Sequence, residues 1–489
     1  MQHFDVVILG AGFGGSLTAL LLDRIGLSCA LVDRGTHPRF AIGESSTPAA
    51  GYLLESLSQK YDLPQFRPFC KYGSWQQAYP DIGCGIKRGF SYFAHEPHRL
   101  FQAKPAHGSE LLVTANLSDA LADTHWYRAD VDQWFADQVQ QSNVVYLDQT
   151  EVTLQHTQGW KIKGTQQGEQ IDLQAAFLID ATGAAGIVAR TLGLEAETDF
   201  KTHSSALFGH FRKVTPWQDI LDGQGVPRND YPFDCDHSAL HQVLREGWMW
   251  QLQFNTGITS AGFVLDGETD QYSWESILER YPSIQRQFAH AECVAPEEGL
   301  QTTGLLQRGW KQGAGADWAL LPHTAGFIDP LHSTGIAHTL CGIERLVAVL
   351  EQHWGQETLP QRLATYSQSL KSERTLIDTL VAACYRSRHD FELFCLSTLF
   401  YFAAATSYEH LRFHEQRRPW LLCADDSKFQ QTVAEWYAYV SRADLVAHNK
   451  AEWAQTARDM LAPWDRVGLF EPAIPHMYYY TAAPETEPR

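Results

Sequence analysis

The chain has 489 residues, enough for roughly two or three structural units with sizeable cores. Its 38 basic and 57 acidic residues give a net charge of −19, which argues against nucleic-acid binding, because such a surface needs a basic face. The nine cysteines are scattered and form no Cys-x-x-Cys pair. Neither a disulfide framework nor a metal site is therefore indicated, and we expect a reducing, cytoplasmic location.

No apolar stretch predicts a membrane span. The uncharged runs Gly247 to Leu265 and Leu393 to Tyr408 contain polar residues and fall short of the ~20 apolar residues that cross a bilayer. The first strand begins at Phe4, which leaves no room for a signal peptide. We expect a soluble chain, with a disordered tail over Thr481 to Arg489.

The first secondary-structure elements predict a strand, a tight turn and a helix. Val6 to Leu9 is a continuous apolar run, as in a parallel strand buried on both faces. Ser16 to Ile25 has the pattern of a helix. Between them lies the glycine turn, Gly10-Ala11-Gly12-Phe13-Gly14-Gly15.

The spacing of these glycines is typical of a dinucleotide-binding turn. Gly10 would form the turn, Gly12 would let the backbone approach a pyrophosphate, and Gly15 would let helix and strand pack closely. The helix N-terminus would face the anion. A second strand, Ser28 to Asp33, ends in an acid about twenty residues on, where a ribose hydroxyl needs an acceptor. A glycine turn in an unrelated α/β domain is the alternative.

The residues after this strand carry a resemblance to known proteins. Arg34 and Arg39 are followed by Gly43-Glu44-Ser45-Ser46. This resembles the arginine and Gly-Glu-Ser stretch of FAD-dependent monooxygenases and flavin-dependent halogenases, which NAD-only dehydrogenases lack. The resemblance implies that FAD is the cofactor and that the arginines, Glu44, Ser45 and Ser46 contact it.

Further stretches are similar to the other flavin motifs of that superfamily. Leu178 to Gly183 resembles the second motif, and Gly326 to Ile336 resembles the third. Arg128 resembles the arginine that opens a helix near the flavin. The cofactor contacts that this resemblance implies are Asp180, Ala181, Thr182, Gly183, Asp329, Pro330, Gly335 and Ile336.

The expected fold is α/β (α+β), with a Rossmann-type FAD-binding domain, an inserted antiparallel sheet and a C-terminal helical region. We expect the FAD-binding domain to occupy residues 1–350 discontinuously, at about 1–80, 100–200 and 300–350. The inserted substrate region would take about 81–100 and 201–300. Residues 351–489 would be mostly helical, with aromatic residues such as Phe394 and Phe400 in the core.

Trp248 and Trp250 point the same way from a predicted strand. From spacing alone they could simply form an aromatic sheet core. Flavin-dependent halogenases carry Trp-x-Trp-x-Ile-Pro at this point, thought to bar the substrate from the flavin, so the resemblance implies a barrier beside a tunnel. Leu252 and Gln253 replace the Ile-Pro pair here. That departure favours a monooxygenase.

A halogenase of this family also needs a desolvated lysine. Two candidates follow the Gly-Glu-Ser stretch. Lys87 lies at the start of a predicted strand and is followed by aromatic residues. Lys71 lies closer to the sequence separation from Glu44 that the resemblance leads us to expect. We prefer Lys87.

The turn Ser333-Thr334-Gly335 precedes a predicted helix, Gly335 to Leu350. The partial positive charge at the N-terminus of this helix would stabilise an anionic flavin or a halide ion. The alternative role of the turn is simple capping of the helix. His332 stands where tryptophan-modifying halogenases have a glutamate. It could transfer a proton or act as an ordinary hydrogen-bond partner at the helix start.

The sequence thus predicts a two-component flavin-dependent halogenase that acts on an electron-rich, aromatic small molecule through hypohalous acid. No second nucleotide fingerprint occurs, so NAD(P)H need not bind here. The resemblance to flavin-dependent halogenases implies that a separate flavin reductase supplies reduced FAD. The alternative is an FAD-dependent monooxygenase or oxidase of the same fold. A non-catalytic flavin-binding protein is a third class.

Overall fold

The computed structural model describes residues 1–157, 159–268, 272–442 and 450–479, and the tail Thr481 to Arg489 lies outside them. The strands are β1 (Gln2–Leu9), β2 (Cys29–Val32), β3 (Cys84–Lys87), β4 (Gly89–Ala94), β5 (Glu110–Thr114), β6 (Asp123–Trp126), β7 (Val145–Leu147), β8 (Thr150–Thr157), β9 (Gly159–Gln166), β10 (Glu169–Asp180), β11 (Ser204–Arg212), β12 (Ala239–Val243), β13 (Gly247–Gln253), β14 (Thr259–Asp266), β15 (Glu292–Ala295), β16 (Gln301–Leu305), β17 (Arg308–Gly309), β18 (Trp318–Leu320), β19 (Gly326–Phe327) and β20 (Met477–Tyr478).

The α-helices are α1 (Phe13–Arg24), α2 (Pro48–Lys60), α3 (Tyr72–Ala78), α4 (Arg128–Gln140), α5 (Ile187–Thr191), α6 (Trp217–Gly223), α7 (Trp274–Arg280), α8 (Pro282–Gln287), α9 (Pro322–Ala325), α10 (Gly335–His353), α11 (Leu359–Ser387), α12 (Phe391–Phe413), α13 (Ser427–Val440) and α14 (Lys450–Leu461). Within the described ranges, none of the helices is long and apolar enough to cross a membrane.

One sheet positions the glycine turn. Its strand order is β7-β2-β1-β10-β9-β8, with β18 beside the end of β10. β1 lies between β2 and β10 and is parallel to both, and Val6 to Leu9 are fully buried. This confirms the predicted buried parallel strand. The helix after the turn begins at Phe13, three residues earlier than predicted, because the glycines Gly14 and Gly15 already belong to its first turn.

The other large sheet has the order β15-β11-β14-β13-β12-β4-β5-β20, with β16 beside β11. Strands β11, β14, β13 and β12 pair antiparallel, which confirms the predicted antiparallel sheet. β12 and β4 pair in parallel, which joins the segment after Lys87 to this sheet.

The strand predicted to begin at Lys87 differs from the one in the structure, where residues 84–94 carry the break. These residues form two strands, because β3 pairs with β6 whereas β4 pairs with β5 and β12. Lys87 is therefore the last residue of one strand and not the first residue of the next.

The C-terminal region is helical in its described part, as predicted. α12 packs against α11, α13, α14 and α2. Its side chains are buried around most of its circumference, including Phe394 and Phe400. Phe90 of β4 contacts Tyr401 and Phe402 edge-on, so α12 covers one face of the second sheet. The domain boundaries given above stay a prediction.

Candidate functional site

The glycine turn connects β1 to α1. Gly10 has φ +100°, and a Cβ on it would lie 2.6 Å from the carbonyl oxygen of Ala181. A Cβ on Gly15 would lie 1.8 Å from the Gly10 oxygen, so both positions require glycine. A Cβ on Gly12 would meet only side-chain atoms, at 3.6 Å and beyond. The packing within the chain therefore does not explain Gly12, whereas close approach of a ligand to the backbone does.

Asp33, directly after β2, is bound by groups around this turn. The backbone N–H of Ala11 donates to its Oδ2 at 2.7 Å, and the Arg39 guanidinium donates to both oxygens at 2.6 and 2.8 Å. Burial alone raises the pKa of Asp33, but the hydrogen bonds from Arg39 and Ala11 outweigh it and hold that pKa below its ordinary value. Asp33 is therefore an anion beside the glycine turn. Arg34 is exposed.

Arg128 is the first residue of α4 and joins the turn to the Gly-Glu-Ser stretch. It donates to the Asp132 carboxylate at 2.8 and 2.7 Å and to the carbonyl oxygens of Ile42 and Gly43 at 3.0 and 3.2 Å. Its guanidinium lies 4.8 Å from the ring centroid of Phe13. The predicted position of this arginine at a helix start is confirmed, and its contact with FAD stays a prediction.

The Gly-Glu-Ser stretch contains one satisfied and one unsatisfied polar group. The buried Glu44 carboxylate lies 2.8 Å from Nε2 of His210. The buried hydroxyl of Ser45 has no hydrogen-bond partner among the described residues. A buried hydroxyl left without a partner costs free energy, so Ser45 is suited to meet a ligand.

The second motif ends β10 and shapes the other side of the turn. Asp180 accepts hydrogen bonds from the backbone N–H groups of Thr182 and Val188, at 2.9 and 2.8 Å. Gly183 has φ +62° and donates its N–H to the hydroxyl of Thr324 at 2.9 Å. Asp180 thus organises the loop that lies against Gly10.

The third motif is organised by Asp329 in the same way. Its Oδ2 accepts from the hydroxyls of Ser204 and Tyr385 at 2.7 and 2.9 Å, and its Oδ1 accepts from the N–H of Leu331 at 3.0 Å. Burial raises the pKa of Asp329 to about 6, against the lowering effect of these bonds. Tyr385 also accepts a 3.1 Å hydrogen bond from the indole of Trp248. The third motif is therefore held against β13, the tryptophan strand, which carries Trp248 and Trp250.

A first cavity of about 400 Å³ lies between the Gly-Glu-Ser stretch, the third motif and the tryptophan strand. Ten of the predicted site residues outside the glycine turn line this cavity: Glu44, Ser45, Trp248, Trp250, Asp329, Pro330, Ser333, Thr334, Gly335 and Ile336. The two indoles lie 6.3 Å apart on one face of β13. Leu252, where the halogenase motif has isoleucine, also lines this cavity.

The N-terminus of α10 opens beside this cavity. Thr334 holds the N-cap position, but its side chain makes no capping hydrogen bond, and Ser333 has φ +53°. Side-chain capping therefore does not explain this turn. The N–H groups at the start of the helix can bind an anion instead.

Lys87 is completely buried. Its Nζ donates a 2.6 Å hydrogen bond to the carbonyl oxygen of Ser46 and lies 4.1 Å from the ring centroid of Phe90. Burial lowers the pKa of Lys87 to about 7, opposed by the charge of Asp123. A substantial fraction of this amine is therefore neutral at neutral pH.

Lys71 has a different environment. It is partly exposed and donates to Asn116 at 3.0 Å and to the buried Asp123 at 3.3 Å. The two lysines predicted as alternatives are therefore distinguished by their partners.

His332 is buried, and its ring stacks on Tyr401 at 4.3 Å with an interplanar angle of 6°. Its Nε2 lies 3.7 Å from Sγ of Cys384. Burial lowers the pKa of His332 to about 3, so the ring is neutral at physiological pH. His332 could therefore take part in proton transfer only by starting from its neutral form. A catalytic role for His332 stays a prediction.

A second cavity lies between α2, β4, the N-terminus of α10 and α12. Thr47, Phe90, Thr334, Tyr401, Thr406 and Glu409 are among its lining residues. Thr334 lines both cavities, and Ser46, which binds Lys87, stands between Ser45 of the first cavity and Thr47 of the second. Lys87 is therefore anchored between the two cavities.

Two further residues belong to this site and were not predicted from the sequence. Glu409 follows directly on the uncharged run Leu393 to Tyr408, and an acid that ends such a run on a buried helix was the available signal. The sequence held no signal for Tyr385, because its hydrogen-bond partners Asp329 and Trp248 are 56 and 137 residues away.

These residues fit a flavin dinucleotide. The turn at Gly12 leaves its backbone open, an unpaired buried hydroxyl at Ser45 faces the first cavity, and helix N-termini suited to anions flank the site. Residues 5–297 match the family model described as FAD dependent oxidoreductase.

Relatives and solved structures agree with this match. The monodechloroaminopyrrolnitrin halogenase of Pseudomonas fluorescens is 28% identical over 410 residues, covering 80% of this chain and 69% of that protein. The tetracycline 7-halogenase of Kitasatospora aureofaciens is 28% identical over 365 residues, covering 69% of this chain and 61% of that protein. The structure of halogenase PltM with phloroglucinol and FAD superposes with a TM-score of 0.83 at 22% identity, covering 98% of this chain and 99% of that one. The predicted resemblance to flavin-dependent halogenases is confirmed, and the chain belongs to the FAD-dependent oxidoreductase family.

Proposed function

We propose that the chain is a flavin-dependent halogenase that uses reduced FAD, O2 and a halide ion to halogenate an electron-rich, aromatic small molecule through hypohalous acid. The single observation that carries this proposal is the burial of Lys87 between the two cavities, with its Nζ held 2.6 Å from the Ser46 oxygen. The halogenase names of the relatives add to its support.

The glycine turn, Arg39, Arg128 and the Gly-Glu-Ser stretch would hold the cofactor. When bound, reduced FAD would supply the activation of O2 that turns halide into hypohalous acid. The open N–H groups at Gly335 and the start of α10 would bind the halide, since a helix N-terminus favours an anion. The residues of the chain then have to guide the hypohalous acid away from the first cavity.

Trp248 and Trp250 would bar the substrate from the first cavity. The indole N–H of Trp248 donates to the Tyr385 hydroxyl, and that of Trp250 donates to the Ser260 hydroxyl, both at 3.1 Å. Side chains held in this way make a rigid wall, which is what a separation of substrate from cofactor requires.

Lys87 would then direct the halogen. Because the pKa of Lys87 is lowered to about 7 by burial, its neutral amine is available near pH 7. That amine can hydrogen-bond hypohalous acid. It can also exchange one N–H for an N–halogen bond, with release of water, and pass the halogen to a ring carbon that gives up its proton.

The second cavity would receive the aromatic ring. In the described form its volume is about 40 Å³, which is room for a few water molecules. Entry of a ring therefore requires the apolar side chains around it to move aside. Phe90 belongs to this lining and also packs against Lys87, so the cavity and the amine are adjacent.

Reduced FAD would come from a separate flavin reductase, as the resemblance to flavin-dependent halogenases implies. The nine cysteines, all free in the structure, are consistent with a reducing compartment such as the cytoplasm.

An FAD-dependent monooxygenase is the second candidate, and Leu252 in the wall of the first cavity is the observation that favours it. Halide dependence separates the two. Purified protein is supplied with chemically reduced FAD and air in potassium chloride, potassium bromide or potassium gluconate of equal ionic strength, with a 1,3-diketone as a trap for halogen. The halogenase forms halogenated diketone in the halide salts alone. No halogenated trap in any salt would reject the proposal.

A further inference from the structure

Glu409 lies in the wall of the second cavity on α12. Tyr401, Ala405 and Glu409 follow at intervals of four residues, so they share the helix face that lines the cavity. Glu409 is 4% exposed. In the part of the chain that the structure describes, its carboxyl group has no hydrogen-bond or ion-pair partner.

A buried carboxyl group without a partner is unusual. Removing a polar group from water costs free energy unless hydrogen bonds replace the lost ones. Burial raises the pKa of Glu409 to about 8, and the charge of Asp123 adds to this effect while Lys71 opposes it. The group is therefore mostly a neutral acid at pH 7, with one O–H donor and acceptor capacity on the same carboxyl.

The place of this acid relates it to the chemistry proposed for Lys87. Phe90 lines the same cavity as Glu409, and the Lys87 amine lies 4.1 Å from the centroid of the Phe90 ring. A ring that entered the cavity would therefore contact the wall beside the amine and the wall that holds the acid. Hydroxyl and amino substituents also make a ring electron-rich, as electrophilic halogenation requires.

We propose that Glu409 binds a hydroxyl or amino group on the aromatic ring of the substrate, accepting its proton in a hydrogen bond and donating its own O–H where the substituent has a free lone pair. This inference rests on the function proposed above and adds the substrate class, namely phenols or aromatic amines. Glu409 thus has the role of a specificity-determining residue.

The test compares three probes that carry different substituents at the same ring positions: resorcinol, 1,3-diaminobenzene and 1,3-dimethoxybenzene. All three are electron-rich, but the dimethoxy ring has no O–H or N–H. We expect kcat/KM of the wild type to favour resorcinol, the diamine or both over the dimethoxy ring by about tenfold or more. Which of the two is favoured separates phenols from aromatic amines.

Substitution then assigns this preference to Glu409. Glu409→Met should lower kcat/KM for the favoured probe by about tenfold or more, mainly through KM, and leave the dimethoxy ring within about twofold. Glu409→Gln keeps a donor and an acceptor and should recover most of the preference. Glu392→Met is the matched control, on the same helix about 25 Å away at 1.5 Å per residue.

An equal loss for all three probes in Glu409→Met, which indicates a packing role, would overturn the inference, and so would an unchanged preference in that variant. Failure of the wild type to halogenate any probe while it still halogenates the diketone trap would also overturn it and would leave the proposed function intact. Absence of halogenated trap in every halide rejects the function itself. FAD binding by each variant, followed by flavin fluorescence, shows that the fold is retained.

Discussion

The Nζ of Lys87 lies 2.6 Å from the carbonyl oxygen of Ser46. Ser45 and Thr47, on either side of Ser46, line the first and second cavities respectively. The amine is therefore fixed to the short segment that separates the two cavities. In the proposed mechanism, this position would let Lys87 act on a substrate that does not touch the cofactor.

Replacement of the two lysines should separate their roles. Lys87→Met should abolish halogenated product while reduced FAD still consumes O2 and releases hydrogen peroxide, because the cofactor residues are unchanged. Lys71→Met removes an ion pair with Asp123 and should keep most of the product. Product yield and hydrogen peroxide are measured together in both variants. Unchanged product in Lys87→Met would remove Lys87 from the mechanism.

The buried amine should also affect stability in a pH-dependent way. The pKa of Lys87 is lowered by burial to about 7, whereas an unfolded lysine has a pKa of roughly 10.4. Below pH 7 both states carry the charge, and its burial destabilises the fold fully. Between pH 7 and about 10 the folded state loses its proton first, so this cost is progressively removed as pH rises.

The free energy of unfolding of the wild type should therefore rise by roughly 2 to 3 kcal/mol relative to that of Lys87→Met between pH 6 and pH 9. Urea unfolding of both proteins without FAD at the two pH values measures the difference, in which the other titrating groups cancel. A pH-independent difference would mean that Lys87 keeps its charge in the folded protein.

The glycine turn offers a comparison of two alanines. A Cβ on Gly12 would meet nothing closer than 3.6 Å, so Gly12→Ala should fold normally and lose FAD, because the added methyl group lies where a pyrophosphate must approach. A Cβ on Gly15 would lie 1.8 Å from the Gly10 oxygen, so Gly15→Ala should be strongly destabilised. Flavin absorbance of the purified proteins and their melting temperatures are the measurements. A Gly12→Ala or Gly12→Val protein that remains yellow would contradict the assignment of the turn.

Tyr385 should hold the tryptophan wall against the third motif. Tyr385→Phe leaves the Trp248 indole without its acceptor and removes one donor from Asp329, so it should destabilise the protein by roughly 1 to 3 kcal/mol. Because burial puts the pKa of Asp329 at about 6 and the hydroxyl stabilises its anion, the loss should be larger at pH 7 than at pH 5.

The comparison for Tyr385→Phe is Tyr437→Phe, whose hydroxyl makes no hydrogen bond to other described residues and which should change stability little. Thermal unfolding at both pH values measures the effect. A loss of equal size in both variants would show that the hydroxyl of Tyr385 has no specific role.

The parts of the fold that the sequence predicted well are local ones. Strand, turn and helix around Gly10 to Gly15 follow one another within about twenty residues, and their apolar and glycine patterns each have a direct backbone cause. The start of α10 at Gly335 was predicted for the same reason. The third motif and the tryptophan strand were also identified, but not that Tyr385 joins them.

The environment of the candidate lysines could not be predicted, because it depends on residues far away in sequence. Ser46 is 41 residues from Lys87, and Asp123 is 52 residues from Lys71. The break between β3 and β4 after Lys87 was missed because the two strands join different partners. The second cavity combines α2, β4 and α12, whose adjacency no local pattern reports.

The most direct test of the account is mass spectrometry of the products that the purified protein forms with FAD, a flavin reductase, NADH and a panel of indoles, phenols, aromatic amines and pyrroles. Chloride, bromide and iodide are supplied in parallel, and Lys87→Met is run beside the wild type. A halogenase that works through Lys87 should form a product with a halogen isotope pattern that depends on FAD, on the halide and on Lys87. A product heavier by one oxygen atom, formed whatever the halide, would contradict this expectation and identify a monooxygenase.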